Sequence, residues 1–182
     1  MAENVPEHSP DNVLYHFSED PNVEVFKPRK MEHRPEIEPF VWAIDEWHSF
    51  CYFFPRQCPR VVCWPLPETT DEDRARFMGH TAARALAAIE SRYAEKMRSA
   101  ELYAYSLPAA GFELMNPEIG VSVCRDEVVP LAMKPVGDLV EALVSTEVEL
   151  RIMPSLWPLW DDLVQSTLHY SMFRTNRVAP RV

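Results

Sequence analysis

The sequence predicts an α+β fold with mixed or antiparallel sheets, one long helix and short C-terminal helices. Three observations carry that expectation. Short β-prone runs recur in the first and last thirds of the chain, separated by Pro and acidic turn signals. Between them, Met78, Ala82, Ala85, Ile89, Tyr93 and Met97 follow one another at steps of three and four, the stripe of an amphipathic helix. Finally, seventeen Pro against four Gly in 182 residues indicate loops held by fixed φ. An order of strands, long helix, strands and short helices is that of an α+β chain. Residues 13–169 are expected to form one domain, with a flexible lead-in over 1–12 and an irregular tail over 170–182.

The elements follow in order. Val13–Ser18 is β-prone and breaks at Glu19-Asp20-Pro21; Val23–Phe26 alternates; Lys27–Pro39 is charged and reads as a loop. Phe40–Ile44 is a strand candidate, Trp47–Phe54 a short helix closed by Pro55, and Arg60–Trp64 a further apolar strand. Thr70 is placed to cap the long helix, with Asp73 three residues on; a helix from Thr70 to Ala100 would span about 46 Å. Leu102–Leu107, Phe112–Met115, Val121–Cys124 and Val128–Met133 are strand candidates. Val136, Leu139, Val140 and Leu143 have helical spacing, Val148–Ile152 alternates, and Ser155 precedes a last helix that tolerates Pro158 in its first turn.

Charge and composition exclude several classes of function. Eighteen Lys and Arg against twenty-eight Asp and Glu leave a net −10, which repels phosphate backbones and argues against DNA as a partner. A local basic groove for one RNA is left open. Neither G-x-G-x-x-G nor G-x-x-x-x-G-K-[ST] occurs, so dinucleotide binding of the doubly wound type and P-loop chemistry are disfavoured. No basic-then-apolar leader and no span of about 18 apolar residues is present; a cytoplasmic protein without membrane contact is expected. Cys51, Cys58, Cys63 and Cys124 include no Cys-x2-Cys pair, so reduced thiols and no metal are expected.

Two clusters could carry chemistry. His16 ends a short strand and is followed by Ser18, Glu19 and Asp20, a polar group at a strand end. The second is Asp45-Glu46-Trp47-His48, leading to Tyr52 and Arg56; its carboxylates suit acid–base work or, equally, a helix N-terminus. Arg56 and Arg60 bracket Cys58 and could clamp an anion or form a surface pair. His80 and His169 fall in expected helices, His8 and His33 in polar stretches.

Leu14-Tyr15-His16-Phe17-Ser18-Glu19-Asp20, Val41-Trp42-Ala43-Ile44-Asp45-Glu46 and Tyr52-x2-Pro55-Arg56-x-Cys58-Pro59-Arg60-Val61 resemble a family of small microbial proteins of unknown function, and the likeness continues to Pro154-Ser155-Leu156. More distantly, Tyr15-His16-Phe17-Ser18 and Val41-Trp42-Ala43-Ile44-Asp45 resemble two sequence blocks of the ADP-ribosyltransferase-like fold, a split β-sandwich binding NAD between two sheets. That resemblance implies a donor site in which His16 bonds the adenosine ribose with Ser18 beside it, Trp42 or Tyr52 stacks on nicotinamide, and Asp45 and Arg56 line the cleft. Phe17 stands where the family has glycine, and Glu118 lies near the place of its ribose-orienting glutamate. The implied function is a transferase using NAD or another nucleotide-containing donor, without metal. Two alternatives stand beside it. One is an RNA-linked transferase taking a 2′-phosphate or aminoacyl-tRNA donor in a biosynthetic setting, including cyclodipeptide formation. The other is a non-catalytic ligand- or protein-binding module.

Overall fold

The computed structural model describes residues 13–31 and 36–181. The expected lead-in over 1–12 with His8, and also His33, lie outside the described residues. The fold is α+β with antiparallel and mixed sheets, and the chain divides into two compact units, each with its own sheet.

The six-stranded unit draws on residues 13–52 and 102–136. Its strands are β1 (Val13–Ser18), β2 (Val41–Ile44), β5 (Tyr103–Pro108), β6 (Glu113–Asn116), β7 (Val121–Cys124) and β8 (Ala132–Pro135), in the order β6-β7-β2-β1-β5-β8. All neighbouring pairs run antiparallel. Alternation then decides which side chains share a face. Leu14, Val41, Ala43, Tyr105, Leu107 and Cys124 pack with Phe26 and Val128 on one face, forming this unit's core. Val23–Phe26 is not a strand: Phe26 alone bridges to Val128, through bonds of 2.8 and 2.9 Å. The helix expected over Trp47–Phe54 is a single 3-10 turn, Ser49–Tyr52.

The four-stranded unit holds β3 (Arg60–Trp64), β4 (Ala85–Glu90), β9 (Val148–Met153) and β10 (His169–Phe173), ordered β10-β3-β4-β9, with β4 and β9 parallel and the other pairs antiparallel. Its helices are α1 (Asp71–Met78), α2 (Ala94–Ser99), α3 (Leu139–Ser145) and α4 (Trp157–Leu163).

The long helix expected over Thr70–Ala100 does not form; the segment is helix, strand and helix. Its start is as expected: Thr70 Oγ1 accepts from Asp73 N, and three acidic residues occupy the positive end of the dipole. The helix then closes at Gly79, and Ala85–Glu90 returns as a strand buried at every position. A central strand covered on both faces needs no polar alternation, so it reads as a continuous apolar run that periodicity cannot tell from a buried helix. Leu86 and Ala88 join Val61, Cys63, Phe77, Met78, Leu156 and Leu163 in one cluster, while Ala85, Ala87 and Ile89 are equally buried.

Nor is the tail over 170–182 irregular throughout. His169–Phe173 forms β10 along β3, with the His169 ring stacked on Trp64 at 4.2 Å, so His169 is not helical. His80 falls in the turn after α1 rather than within it. The short C-terminal helices are present, with Asp138 capping α3 through Val140 N and Glu141 N, and Ser155 Oγ accepting from Trp157 N at 3.3 Å.

All four cysteines are buried free thiols. Burial pushes the Cys58 thiol up to about 11, against the lowering influence of Arg60, and the Cys63 thiol up to about 12. Both stay protonated in the folded chain while the unfolded chain releases them near 9. Their contribution to stability is therefore complete below pH 9 and is lost as pH rises toward 11–12. Each thiol steepens the loss by up to about 1.4 kcal/mol per pH unit. Urea midpoints between pH 8 and 10.5 should fall for the wild type and fall less for Cys58→Ala/Cys63→Ala; equal declines would contradict the assignment.

Candidate functional site

β1 and β2 stand at the centre of the six-stranded sheet, and their pairing holds at one register position, Tyr15 opposite Ile44. By contrast, β1 pairs with β5 along its whole length. Beyond Tyr15 the Trp42 carbonyl accepts a hydrogen bond from His16 Nδ1 at 2.8 Å, so a side chain takes up a backbone acceptor in the seam between the two central strands. A carbonyl can only accept, which puts the His16 proton on Nδ1 and makes Nε2 the acceptor nitrogen of the neutral ring.

The His16 ring lies against Phe26 at 4.6 Å, and Phe26 meets Tyr105 edge-on at 5.2 Å. Tyr105 Oη in turn donates to the Asp20 carbonyl at 2.7 Å and accepts from Val23 N at 3.1 Å, which pins the loop after β1. Ser18 Oγ accepts from Asp20 N at 3.0 Å, and Asp20 Oδ1 from Asn22 N at 2.9 Å. The polar string read from the sequence is thus a pair of side-chain-closed turns, held over the core by one tyrosine.

The aromatic candidates occupy the other face. Tyr15 opposite Ile44 sets a parity that puts Phe17 with Trp42, and His16 with Ala43. Trp42 meets Phe40 edge-on at 5.9 Å, and Tyr52 stacks parallel to Phe17 with centroids 6.2 Å apart. His16 and Trp42 therefore meet through imidazole and main chain, not through imidazole and indole. The Trp42 Nε1–H is buried without a hydrogen-bond partner among the described residues.

Asp45 follows β2, and its amide donates to the Gly120 carbonyl at 3.0 Å. Its carboxylate accepts from His48 N at 2.8 Å and from His48 Nδ1 at 2.9 Å. His48 is only 1% exposed, and the Gly120 backbone presses on both side chains: a Cβ there would collide with Asp45 Oδ2 and His48 Nδ1. The sequence places Asp45 and His48 in one polar cluster, but shows neither their bond to each other nor the close approach of Gly120. The one local signal of that bond is Asp-x-x-His, the spacing at which a side chain can cap the turn that follows it.

Glu118 is exposed in the 3-10 turn Pro117–Ile119, where Asn116 Oδ1 accepts from its amide at 3.0 Å. It precedes β7, the neighbour of β2. Arg56 belongs to the four-stranded unit; it is exposed, and its carbonyl accepts from Arg174 Nε at 2.9 Å. Arg60 is buried between the rings of Phe54 and Phe173 and donates to the Cys58 carbonyl at 3.2 Å. Also missed was Glu90 at the end of β4, which is 1% exposed and bound by Arg92 and by Ala179 N.

Among the described residues no group of three His, Cys, Asp or Glu side chains is arranged to hold a metal ion, and no helix is long and apolar enough to cross a membrane. No curated protein and no solved structure matches the chain. A family match does exist, and it covers residues 15–178, from β1 through β10, the greater part of the chain. The protein therefore belongs to the Family of unknown function (DUF6886).

Proposed function

We propose that this protein is a transferase that binds NAD or another nucleotide-containing donor beside His16, on an ADP-ribosyltransferase-like scaffold. The observation that carries the reading is the His16 Nδ1–Trp42 carbonyl bond, which fixes the imidazole at the seam in the tautomer whose other nitrogen is of acceptor type, the complement of a ribose hydroxyl. The seam between β1 and β2, paired at one position, is consistent with a split sheet. Glu118, exposed before β7, would supply the carboxylate that steadies positive charge developing on the ribose during transfer. Trp42 and Tyr52 lie on the face opposite His16, and paired strands leave no gap for a nucleotide between them, so a donor held on the His16 face is not stacked by either.

A non-catalytic binding module is the second reading. It is favoured by Ser18 and Asp45, whose side chains are engaged within their own turns.

The test is thermal shift with NAD, ATP and charged tRNA, followed by turnover with whichever binds. A ligand at 100 times its Kd adds about 2.7 kcal/mol of stability. Loss of one hydrogen bond to the ligand in His16→Ala should weaken binding or turnover about ten- to a hundred-fold. His16→Gln keeps a donor for the Trp42 carbonyl but no ring acceptor, so it should lose the ligand effect while retaining the melting temperature. Unchanged function with a large fall in melting temperature in both variants would make His16 a structural residue.

A further inference from the structure

In the four-stranded sheet, Arg60 at the start of β3 pairs with Ile89 near the end of β4 and with Phe173 at the end of β10. The chain leaving those two strand ends gathers cations, although the protein as a whole carries −10. Arg174 comes directly after β10 and adopts a left-handed conformation at φ 54 and ψ 42. A residue with a Cβ rarely adopts this conformation. Its Nε donates to the Arg56 carbonyl, and its own carbonyl accepts from Arg177 N at 2.8 Å, closing a 3-10 turn.

A third guanidinium joins that turn. Arg92 Nη2 donates to the Arg177 carbonyl at 2.5 Å and to Glu90 Oε2 at 2.6 Å. Glu90 is the carboxylate bound within this group, and it is buried and already satisfied by Arg92 and Ala179 N. Arg76, Arg125 and Arg181 each hold a carboxylate on the guanidinium. Among the described residues none is placed on Arg174 or Arg177.

We propose that Arg174, Arg177 and Arg92 form a site for a compact phosphate group, the phosphate or pyrophosphate borne by a nucleotide or by the end of an RNA. Guanidinium forks match phosphate oxygens in pairs, the role given to Arg174 and Arg177, while Arg92, bound to Glu90 and the Arg177 carbonyl, holds the turn in place and adds its charge beside it. Compactness follows from the net charge. At physiological salt a charge is felt over roughly 8 Å, so a short anion meets these cations, whereas an extended polyanion also meets the acidic remainder of the surface. The site is independent of the donor reading at His16.

Calorimetric titration of the full chain with inorganic pyrophosphate, ADP and one RNA oligonucleotide, with and without a 5′-phosphate, tests this. Pyrophosphate and ADP should bind, and Arg174→Gln/Arg177→Gln should weaken them ten-fold or more. Arg181→Gln, whose partner is Asp161, should leave them unchanged. Binding of the oligonucleotide only with its 5′-phosphate would identify an RNA end as a further source of the same group. Arg177→Gln alone, which leaves the Arg174 turn in place, and Arg174→Lys/Arg177→Lys keep the test valid if the double variant unfolds. The first should still weaken binding, and the second should retain part of it. Absence of pyrophosphate binding at millimolar concentration, equal loss in Arg181→Gln, or equal binding of both oligonucleotides would overturn the proposal.

Discussion

Ala87→Lys is expected to cost more than about 4 kcal/mol and to leave little folded protein, because it places an unpaired ammonium in the middle of a strand with no exposed face. Ala87 is 0% exposed and pairs with Val62 on one side and Leu150 on the other. The same substitution separates the two readings of this segment. On a helix over Thr70–Ala100 the apolar stripe runs through Ala85 and Ile89, and Ala87 falls on the opposite, solvated side, where lysine is harmless. Ala75→Lys, on the exposed part of α1, is the control and should change stability by less than about 0.5 kcal/mol. Urea unfolding of both variants decides the matter, and equal behaviour would return the segment to the helix.

Gly120→Ala should lower stability by about 3 kcal/mol or more, through two effects of similar size. The residue sits at φ 64, where a Cβ costs on the order of 1–2 kcal/mol. That Cβ would also occupy the space of Asp45 Oδ2 and His48 Nδ1, displacing a carboxylate that accepts from the His48 amide and ring. Breaking a buried hydrogen-bonded group of this kind adds about 1–3 kcal/mol. At about 2–4 °C per kcal/mol for a chain of this size, the melting temperature should drop by roughly 6–12 °C. Gly137→Ala carries the first effect alone, since Gly137 has φ 82 and nothing within 4 Å of the added carbon, so the difference between the two variants isolates the second. Comparable losses at the two glycines would show that Asp45 and His48 do not pack against Gly120.

Where a signal is local, the chain can be read without its fold. Arg60–Trp64 and Val121–Cys124 are bounded by Pro, Gly and charged residues that cannot continue a buried strand, and both form at the expected limits. Thr70 caps α1 because a hydroxyl three residues before an amide needs nothing from elsewhere in the chain. Where the partner is distant, the reading stops. His48 borders an apolar stretch in sequence and acquires its packing from Gly120, far along the chain. Glu90 falls inside the helix expected over Thr70–Ala100, and nothing near it in sequence announces the amide of Ala179 that binds it.

By itself the sequence determined the α+β class, the strand-forming segments with polar or Pro boundaries, the helix caps and the family, because each depends on residues within a few positions or on a motif string. Only the tertiary structure decided that Ala85–Glu90 is a strand, because full burial removes the alternation that distinguishes the two periods. It decided that His169–Phe173 joins the sheet, because Trp64 and β3 supply the pairing. And it decided that His16 meets the carbonyl of Trp42 while the indole lies on the other face. Register sets that outcome, and a shift of one residue would have turned every side chain of β2 over.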